Sequence, residues 1–262
     1  MTQIRSLRNG KVTVASNIVK ALGCKGKPAN QRWLGISPHD DDLAIGAGLA
    51  LRLAQAIGVE VHVGIVTDGS MGCRSPRERA TISETRRAET IRAYGALGVP
   101  ETNIHYLGFP DASLWRYIGR RAREAGDSVD HVVAGHTGLE NSLTWLLRLL
   151  KPMVVFMPSR KDIHPDHMAV SLELPISIFH ASSDIWEELG WKIERPALWE
   201  WPTYNVAPKR KPAVGIFADR DLFERKLAAI ACWQSQAEII AALIASLRSN
   251  GPWEFLWKHK VN

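Results

Sequence analysis

The chain has 262 residues, of which 45% are hydrophobic and 23% charged, so it can build a buried core, and the disordered, collagen-like and coiled-coil classes are excluded. Its formal net charge is +6, but the Lys and Arg residues are scattered, which argues against a nucleic-acid-binding surface. The sequence contains no run of 18 consecutive apolar residues, so we expect no membrane span. No apolar stretch follows the basic N-terminal residues, so we expect no signal peptide. Three separated cysteines without a Cys-x-x-Cys pair indicate a reducing, cytoplasmic location.

The first predicted element is a short helix within a basic, weakly patterned stretch, and we treat residues 1–30 as an N-terminal extension before a single domain at 31–262. After it the pattern alternates, with a predicted strand at 33–36, a helix at 43–57 and a strand at 59–66. A strand, a helix and a second strand in this order form a βαβ unit, whose strands are parallel.

The same alternation continues along the sequence. Further helices are predicted at 80–97, at 139–150, from Pro165 onward and at 221–247, and further strands at 104–107, at 153–157 and twice within 197–218. Pro165 suits the first position of a helix because its φ is already fixed and no N–H donor is needed there. The sequence therefore predicts a Rossmann-like, three-layer α/β fold with an open, mostly parallel sheet whose ligands bind at the carboxyl ends of the strands.

An imidazole and three carboxylates follow the first strand of this predicted unit, in the order His39-Asp40-Asp41-Asp42. Adjacent carboxylates repel one another, and a helix N-terminus favours a single acid by only about 0.3–1 kcal/mol. A divalent cation would remove this repulsion. His39 and Asp42 can offer a nitrogen and an oxygen to zinc, which leaves Asp41 close to a water on the metal.

A second cluster, His164-Pro165-Asp166-His167, follows the predicted strand at 153–157 and reaches the same edge of the sheet. His164 and His167 lie one helical turn apart, so both can face one point. Either cluster alone is explained equally well as a capped helix start with surface charges. Two such clusters at matching strand ends instead indicate three protein ligands and an open position, as in catalytic zinc sites.

These two motifs resemble the signature of the PIG-L/LmbE-like zinc-dependent N-acetylglucosaminyl deacetylases, which is His-x-Asp-Asp after the first strand and His-x-x-His much later. Further segments are similar to that family's pattern in its order, at 66–69, 86–89, 96–99, 107–111 and 226–236. The resemblance extends from Trp33 to Gln236.

The resemblance implies a role for each residue that matches a family motif. His39, Asp42 and His167 would bind zinc (Zn²⁺), with another divalent metal as the alternative; Asp41 would be the general base; His164 would stabilise the oxyanion or protonate the leaving amine; Arg86 and Asp111 would contact the substrate.

Two positions depart from the family pattern. Asp40 replaces the usual proline, and Leu43 stands where many members carry Glu. The additional carboxylate of Asp40 either points to solvent or changes the charge of the site.

The residues and the resemblance together predict a metal-dependent hydrolase that removes an N-acetyl or other N-acyl group from an amino sugar or its conjugate. Metal-activated water would attack the amide while Asp41 takes its proton. One alternative is an amide or ester hydrolase with a non-sugar substrate, and another is a noncatalytic protein that binds an anionic or sugar ligand. We expect the partner to be a small-molecule amino-sugar substrate, and we expect binding to neither nucleic acid nor membrane. The tryptophans after residue 180 can serve core or subunit packing, so a homo-oligomer is possible.

Overall fold

The computed structural model describes residues 1–8, 10–73, 75–203 and 209–259, and contains one large sheet with helices on both faces. Its strands are β1 (Gln3–Arg8), β2 (Lys11–Ala15), β3 (Arg32–Ser37), β4 (Glu60–Thr67), β5 (Ile104–Phe109), β6 (Arg121–Ala122), β7 (His136–Thr137), β8 (Val154–Pro158), β9 (Ala197–Trp201), β10 (Val214–Phe217) and β11 (Trp253–Lys258). Its α-helices are α1 (Ile18–Leu22), α2 (Asp42–Ala56), α3 (Ile82–Ala96), α4 (Leu139–Leu150), α5 (Pro165–Ala181), α6 (Arg220–Ile230) and α7 (Ala237–Asn250). Each predicted helix and strand is present, whereas β1, β2, β11 and the small β6–β7 pair were not predicted.

The large sheet has nine strands in the order β2-β1-β10-β11-β9-β8-β3-β4-β5. From β9 to β5 neighbouring strands are parallel, and from β2 to β9 they pair antiparallel. The predicted three-layer α/β fold is therefore confirmed, with a sheet that is mixed rather than mostly parallel. Because β11 lies between β9 and β10, the two strands predicted within 197–218 are not hydrogen-bonded neighbours.

Two strands of the large sheet, β1 and β2, lie within the stretch that the sequence analysis treats as an N-terminal extension. β1 pairs antiparallel with β10, with Ile4 opposite Ile216, and β2 forms the edge of the sheet. Ile4 is buried, and α1 buries one of its faces against the core. The hydrophobic pattern is weak here because β2 is exposed along most of its length, as suits an edge strand.

Two hydrophobic cores lie on opposite faces of the sheet, because successive side chains of a strand point to opposite sides. On one face Trp33 of β3 packs with apolar residues of α2, α3 and α6. On the other face Leu34 and Ile36 pack with apolar residues of α4 and α5. A strand that is buried on both faces forms a continuous apolar run, which is why β3 was recognisable in the sequence.

Helix α2 is interrupted at Ala47, whose φ of −135° is not helical. The carboxylate of Glu254 in β11 accepts the backbone N–H groups of Leu49 and Ala50, each at 2.9 Å. Lys226 Nζ lies 2.8 Å from this buried carboxylate and balances its charge. Glu254 therefore satisfies two backbone N–H groups of α2 just after its interruption.

Within the described ranges no single helix is long and apolar enough to cross a membrane, and α6 with residues 234–250, a pair bent by 83°, meets the length and composition criteria only in combination.

Candidate metal centre

Both predicted motifs lie at the carboxyl ends of neighbouring parallel strands. Residues 39–42 connect β3 to α2, and residues 164–167 lie at the start of α5, after β8. β3 and β8 pair in parallel, with Gly35 opposite Phe156, so the segments that follow them emerge at the same edge. The structure therefore brings the two motifs together.

The side chains of His39, Asp42 and His167 converge on one point. Asp42 Oδ2 lies 2.9 Å from His39 Nδ1 and 2.9 Å from His167 Nε2, and the two nitrogens are 3.3 Å apart. Atoms bound to one tetrahedral zinc ion at about 2.0–2.2 Å lie about 3.3–3.6 Å from one another, so a small outward movement would admit the ion. Asp42 Oδ1 is buried and has no hydrogen-bond partner among the described residues, as expected of an atom that serves a cation. This group of atoms can hold a divalent metal.

Carboxylates on the far sides of both imidazole rings orient the rings. His39 Nε2 lies 3.2 Å from Asp111 Oδ1 and 3.3 Å from Asp166 Oδ2. His167 Nδ1 lies 2.9 Å from Asp162 Oδ2. A carboxylate that accepts the remote N–H of a ligating histidine fixes the tautomer and directs the other nitrogen to the metal.

Sequence analysis missed the orienting role of Asp162 and Asp166. Asp162 is buried, and its second oxygen accepts the backbone N–H of His164 at 3.0 Å. Asp166 is also buried, and it binds the backbone N–H groups of Ala112 and Leu114 at 2.9 and 3.1 Å. Both acids lie within a few residues of the histidines of the second motif in the sequence. This closeness is the only indication of their orienting role that the sequence contains.

The charges of the centre shift the pKa values of its members strongly. Burial lowers the pKa of His167, but Asp42 and Asp162 outweigh it and raise this pKa to about 9. Burial likewise lowers the pKa of His39, and carboxylates, with Asp42 first, raise it well above its usual value. Burial raises the pKa of Asp42, whereas the two histidines lower it well below its usual range. The centre thus favours positive charge between its carboxylates, which a metal ion can provide in place of protons.

Asp41 stands beside the converging atoms without being one of them. Burial and the neighbouring carboxylates of Asp42 and Asp40 raise its pKa to about 7, although Arg86 acts in the opposite direction. Its side chain is 18% exposed. A carboxyl group with a pKa near neutrality and access to solvent suits a general base.

His164 forms the N-cap of α5, where its Nδ1 accepts the backbone N–H of Asp166 at 3.3 Å. Its ring lies edge-on to the ring of His39, with centroids 4.7 Å apart. Burial lowers its pKa, and the charges of His39 and His167 lower it further. A ring nitrogen of His164 also lies within 4.8 Å of nitrogens of both other histidines, so His164 faces the same point.

Arg86 and Asp111, the two predicted substrate contacts, are both largely buried, at 7% and 9% exposure. Asp111 lies against His39, and its other oxygen accepts the backbone N–H of Met71 at 3.2 Å. Arg86 instead pairs with Asp40. The structure thus places the two residues in different environments, and their contacts with a substrate stay a prediction.

The two departures from the family pattern have different environments. Asp40 is buried at 5% exposure and faces Arg86, so it does not point to solvent. Leu43 is fully buried and packs against Gly35, and its backbone N–H donates to Ser37 Oγ at 3.0 Å. Leu43 therefore belongs to the core rather than to the centre.

Comparison with known proteins gives one family and several relatives. The family described as PIG-L, GlcNAc-PI de-N-acetylase, matches residues 34–174. A 1D-myo-inositol 2-acetamido-2-deoxy-alpha-D-glucopyranoside deacetylase of Kineococcus radiotolerans is 30% identical over 155 aligned residues, and the match covers 53% of this chain and 42% of that protein. A probable N-acetyl-alpha-D-glucosaminyl L-malate deacetylase 2 of Bacillus cereus is 25% identical over 247 aligned residues, and the match covers 86% of this chain and 98% of that protein. The match thus spans less than half the length of the first relative and nearly the whole of the second.

A solved structure is similar over most of the chain. The N,N'-diacetylchitobiose deacetylase of Pyrococcus horikoshii superposes with a TM-score of 0.66 and is 25% identical, covering 84% of this chain and 76% of its own.

Proposed function

We propose, from the premise that this chain belongs to the PIG-L family of de-N-acetylases, that it is a zinc-dependent hydrolase that removes an N-acetyl or other N-acyl group from an amino sugar or its conjugate. One observation carries the proposal: three side-chain atoms of His39, Asp42 and His167 lie within 2.9–3.3 Å of one another, and the neighbouring Asp42 Oδ1 is buried without a hydrogen-bond partner among the described residues.

We propose His39, Asp42 and His167 as the zinc ligands. Two imidazoles and one carboxylate, with one position left open, are a ligand set that catalytic zinc sites use. Asp42 fits the third place better than His164, because the Nδ1 of His164 already accepts a backbone N–H in its helix cap. A bound zinc ion supplies Lewis acidity toward the amide carbonyl and toward water.

Asp41 is the proposed general base. Its carboxylate takes a proton from the attacking water, and the return of a proton to the departing amine completes the addition of water across the C–N bond. The position of Asp41 next to Asp42 supports this role. His164 faces the same point and either donates a hydrogen bond to the developing oxyanion or protonates the amine.

The proposed substrate follows from what the names of the relatives share. Each of the two curated relatives is named for an N-acetylated glucosamine unit joined to another group, inositol in one and malate in the other. We therefore propose the N-acetylglucosaminyl unit as the part that this chain recognises, with Asp111 as a contact. The sequence has three widely separated cysteines and no Cys-x-x-Cys pair, which supports action in the reducing cytoplasm.

Acetate release from a panel of substrates tests this function. The zinc-loaded protein should release acetate from N-acetylglucosaminyl conjugates such as the malate and inositol compounds. Hydrolysis of non-sugar N-acetyl amides or esters alone would favour the non-sugar alternative. Ligand binding without any release would favour the noncatalytic alternative.

Two variants separate the proposed base from the proposed ligand. Asp41→Ala should keep the metal and lower kcat about 100- to 10,000-fold, the usual range for a general base. Asp42→Ala should lower metal affinity, and excess metal should restore part of the occupancy. Asp184→Ala, at a side chain that is 80% exposed, is the control. Near-normal turnover of zinc-saturated Asp41→Ala would show that the base lies elsewhere.

A further inference from the structure

Asp40 holds the guanidinium of Arg86 with both of its carboxylate oxygens. Arg86 Nε donates to Asp40 Oδ2 at 2.8 Å, and Nη2 donates to Oδ1. Thr90, one turn further along α3, also donates to Asp40 Oδ2, at 3.3 Å. All three side chains are largely buried. A two-point bond of this kind orients a guanidinium as well as neutralising it.

The loop after β4 covers Arg86. A side chain at either Gly69 or Gly72 would collide with or press against the guanidinium group, so the two glycines permit a close approach of the backbone. The side-chain amide of Gln236 donates to the carbonyl oxygen of Gly72 and holds the loop in this position. Arg86 is thereby enclosed between Asp40 and the loop.

Asp41 is the next charged neighbour of this pair. Its Oδ1 lies 3.9 Å from Arg86 Nη2. Of the residues on either side, Asp42 is fixed by the two histidines, and Asp40 is fixed to α3 through Arg86. The turn is thus anchored on both sides of Asp41, and the nearby cation attracts its carboxylate.

We infer that Asp40 and Arg86 form a positioning pair that directs the Asp41 carboxylate, and that Arg86 does not itself contact the substrate. The inference rests on the proposed function, because it gives Asp41 the role of base. Each of the two buried charges would be unpaired without the other.

The substitution Arg86→Lys tests the pair because it keeps the positive charge and removes the two-point geometry. Asp40→Asn is the complementary change, since it keeps an acceptor and removes the charge. Arg121→Lys is a control, because Arg121 also makes a two-point bond, through Nη1 and Nη2 to Asp127 at 2.8 and 2.7 Å, with a side chain that is 40% exposed.

Metal content, kcat and KM are measured for each variant with an N-acetylglucosaminyl conjugate. We expect Arg86→Lys and Asp40→Asn to bind one metal per chain and to lower kcat about 10- to 100-fold, the effect of misplacing a reacting group by about 1 Å, with KM within about twofold. The double variant should lose no more than the more affected single variant, because the two residues act as one unit. A rise in KM with kcat retained would instead show a substrate contact and overturn the inference.

Crystal structures of the metal-loaded parent and of Arg86→Lys give a readout that does not depend on activity. The Asp41 side chain should change direction in the variant, while Asp42 stays with the two histidines. An unchanged Asp41 overturns the inference whether or not the protein is active. A parent that releases no acetate overturns the proposed function alone, so the two failures are distinguishable. If Asp40→Asn does not fold, Arg86→Lys still decides the outcome.

Discussion

Replacement of Asp162 by Asn should weaken metal binding although Asp162 is not among the proposed ligands. Both of its oxygens are in use: Oδ2 lies 2.9 Å from His167 Nδ1, and Oδ1 accepts the backbone N–H of His164 at 3.0 Å. Asparagine has a single acceptor oxygen at the end of its side chain. The variant therefore loses one of the two bonds together with the negative charge that faces His167.

The size of the effect follows from the burial of this pair. The side chains of Asp162 and His167 are both 0% exposed, so water cannot replace the lost bond. Removing a carboxylate behind a ligating histidine typically costs about 10- to 100-fold in metal affinity, which is about 1.4 to 2.8 kcal/mol. We expect a loss near the upper end, because the lost acceptor is charged and shielded from solvent.

Zinc affinity by competition with a chelator measures this loss. The comparison is made at pH 9, because burial lowers the pKa of His167 but Asp42 and Asp162 raise it to about 9, so protons compete with the metal at lower pH. Asp184→Asn, at an exposed partner of Lys192, is the control and should bind zinc as the parent does. If folded Asp162→Asn held zinc within twofold of the parent, the idea that Asp162 supports His167 as a ligand would be refuted.

Three further changes test the stability of the fold. Burial lowers the pKa of His62 in the folded protein. The contribution of neutral His62 to the free energy of unfolding is therefore fully present above the unfolded-state pKa of about 6.5 and declines as the pH falls through that value. His62→Gln should reduce this decline when urea unfolding is compared at pH 7.5 and 5.5, and equal declines in variant and parent would contradict the reasoning. A methyl group in Gly46→Ala would overlap the ring of Trp201, so the free energy of unfolding should fall by about 1–3 kcal/mol, and an unchanged value would show that the ring can move. Lys226→Met leaves the Glu254 carboxylate buried without its cation and should cost about 3–5 kcal/mol by urea unfolding; a loss below about 1 kcal/mol would mean that backbone donors suffice.

The converging ligands were predictable because each motif is local and follows a buried strand. His39 and Asp42 lie in one turn, as do His164 and His167, and the apolar runs before them identify β3 and β8. Parallel strands then bring both motifs to the same edge of the sheet. That step needs only the direction of the strands, which a βαβ pattern supplies.

The contacts around the ligands could not be predicted in the same way. Asp166 reaches His39 across 127 positions of the chain, and Arg86 reaches Asp40 across 46. Several acids lie near each histidine ring, and the lengths of the strands decide which acid contacts which ring. The spacing of residues in the sequence does not give those lengths. The strands β1 and β2 escaped prediction for another reason, since few of their side chains are buried and β2 is an edge strand.

The order of strands also bears on how the protein is made. In the described sheet β1 lies between β2 and β10, and β10 meets the parallel strands through β11. Because synthesis starts at the N-terminus, β1 leaves the ribosome long before Val214–Phe217 can pair with it. Until β10 is made, one edge of β1 is unpaired and is a template for pairing with other chains, and the charged, exposed Arg5 of β1 opposes such pairing. Helix α2, which carries Asp42, likewise lacks the carboxylate of Glu254 as a hydrogen-bond acceptor until β11 has been made. During synthesis the edge of β1 therefore stays unpaired for a long time, and it is available to chaperones that bind exposed strand edges.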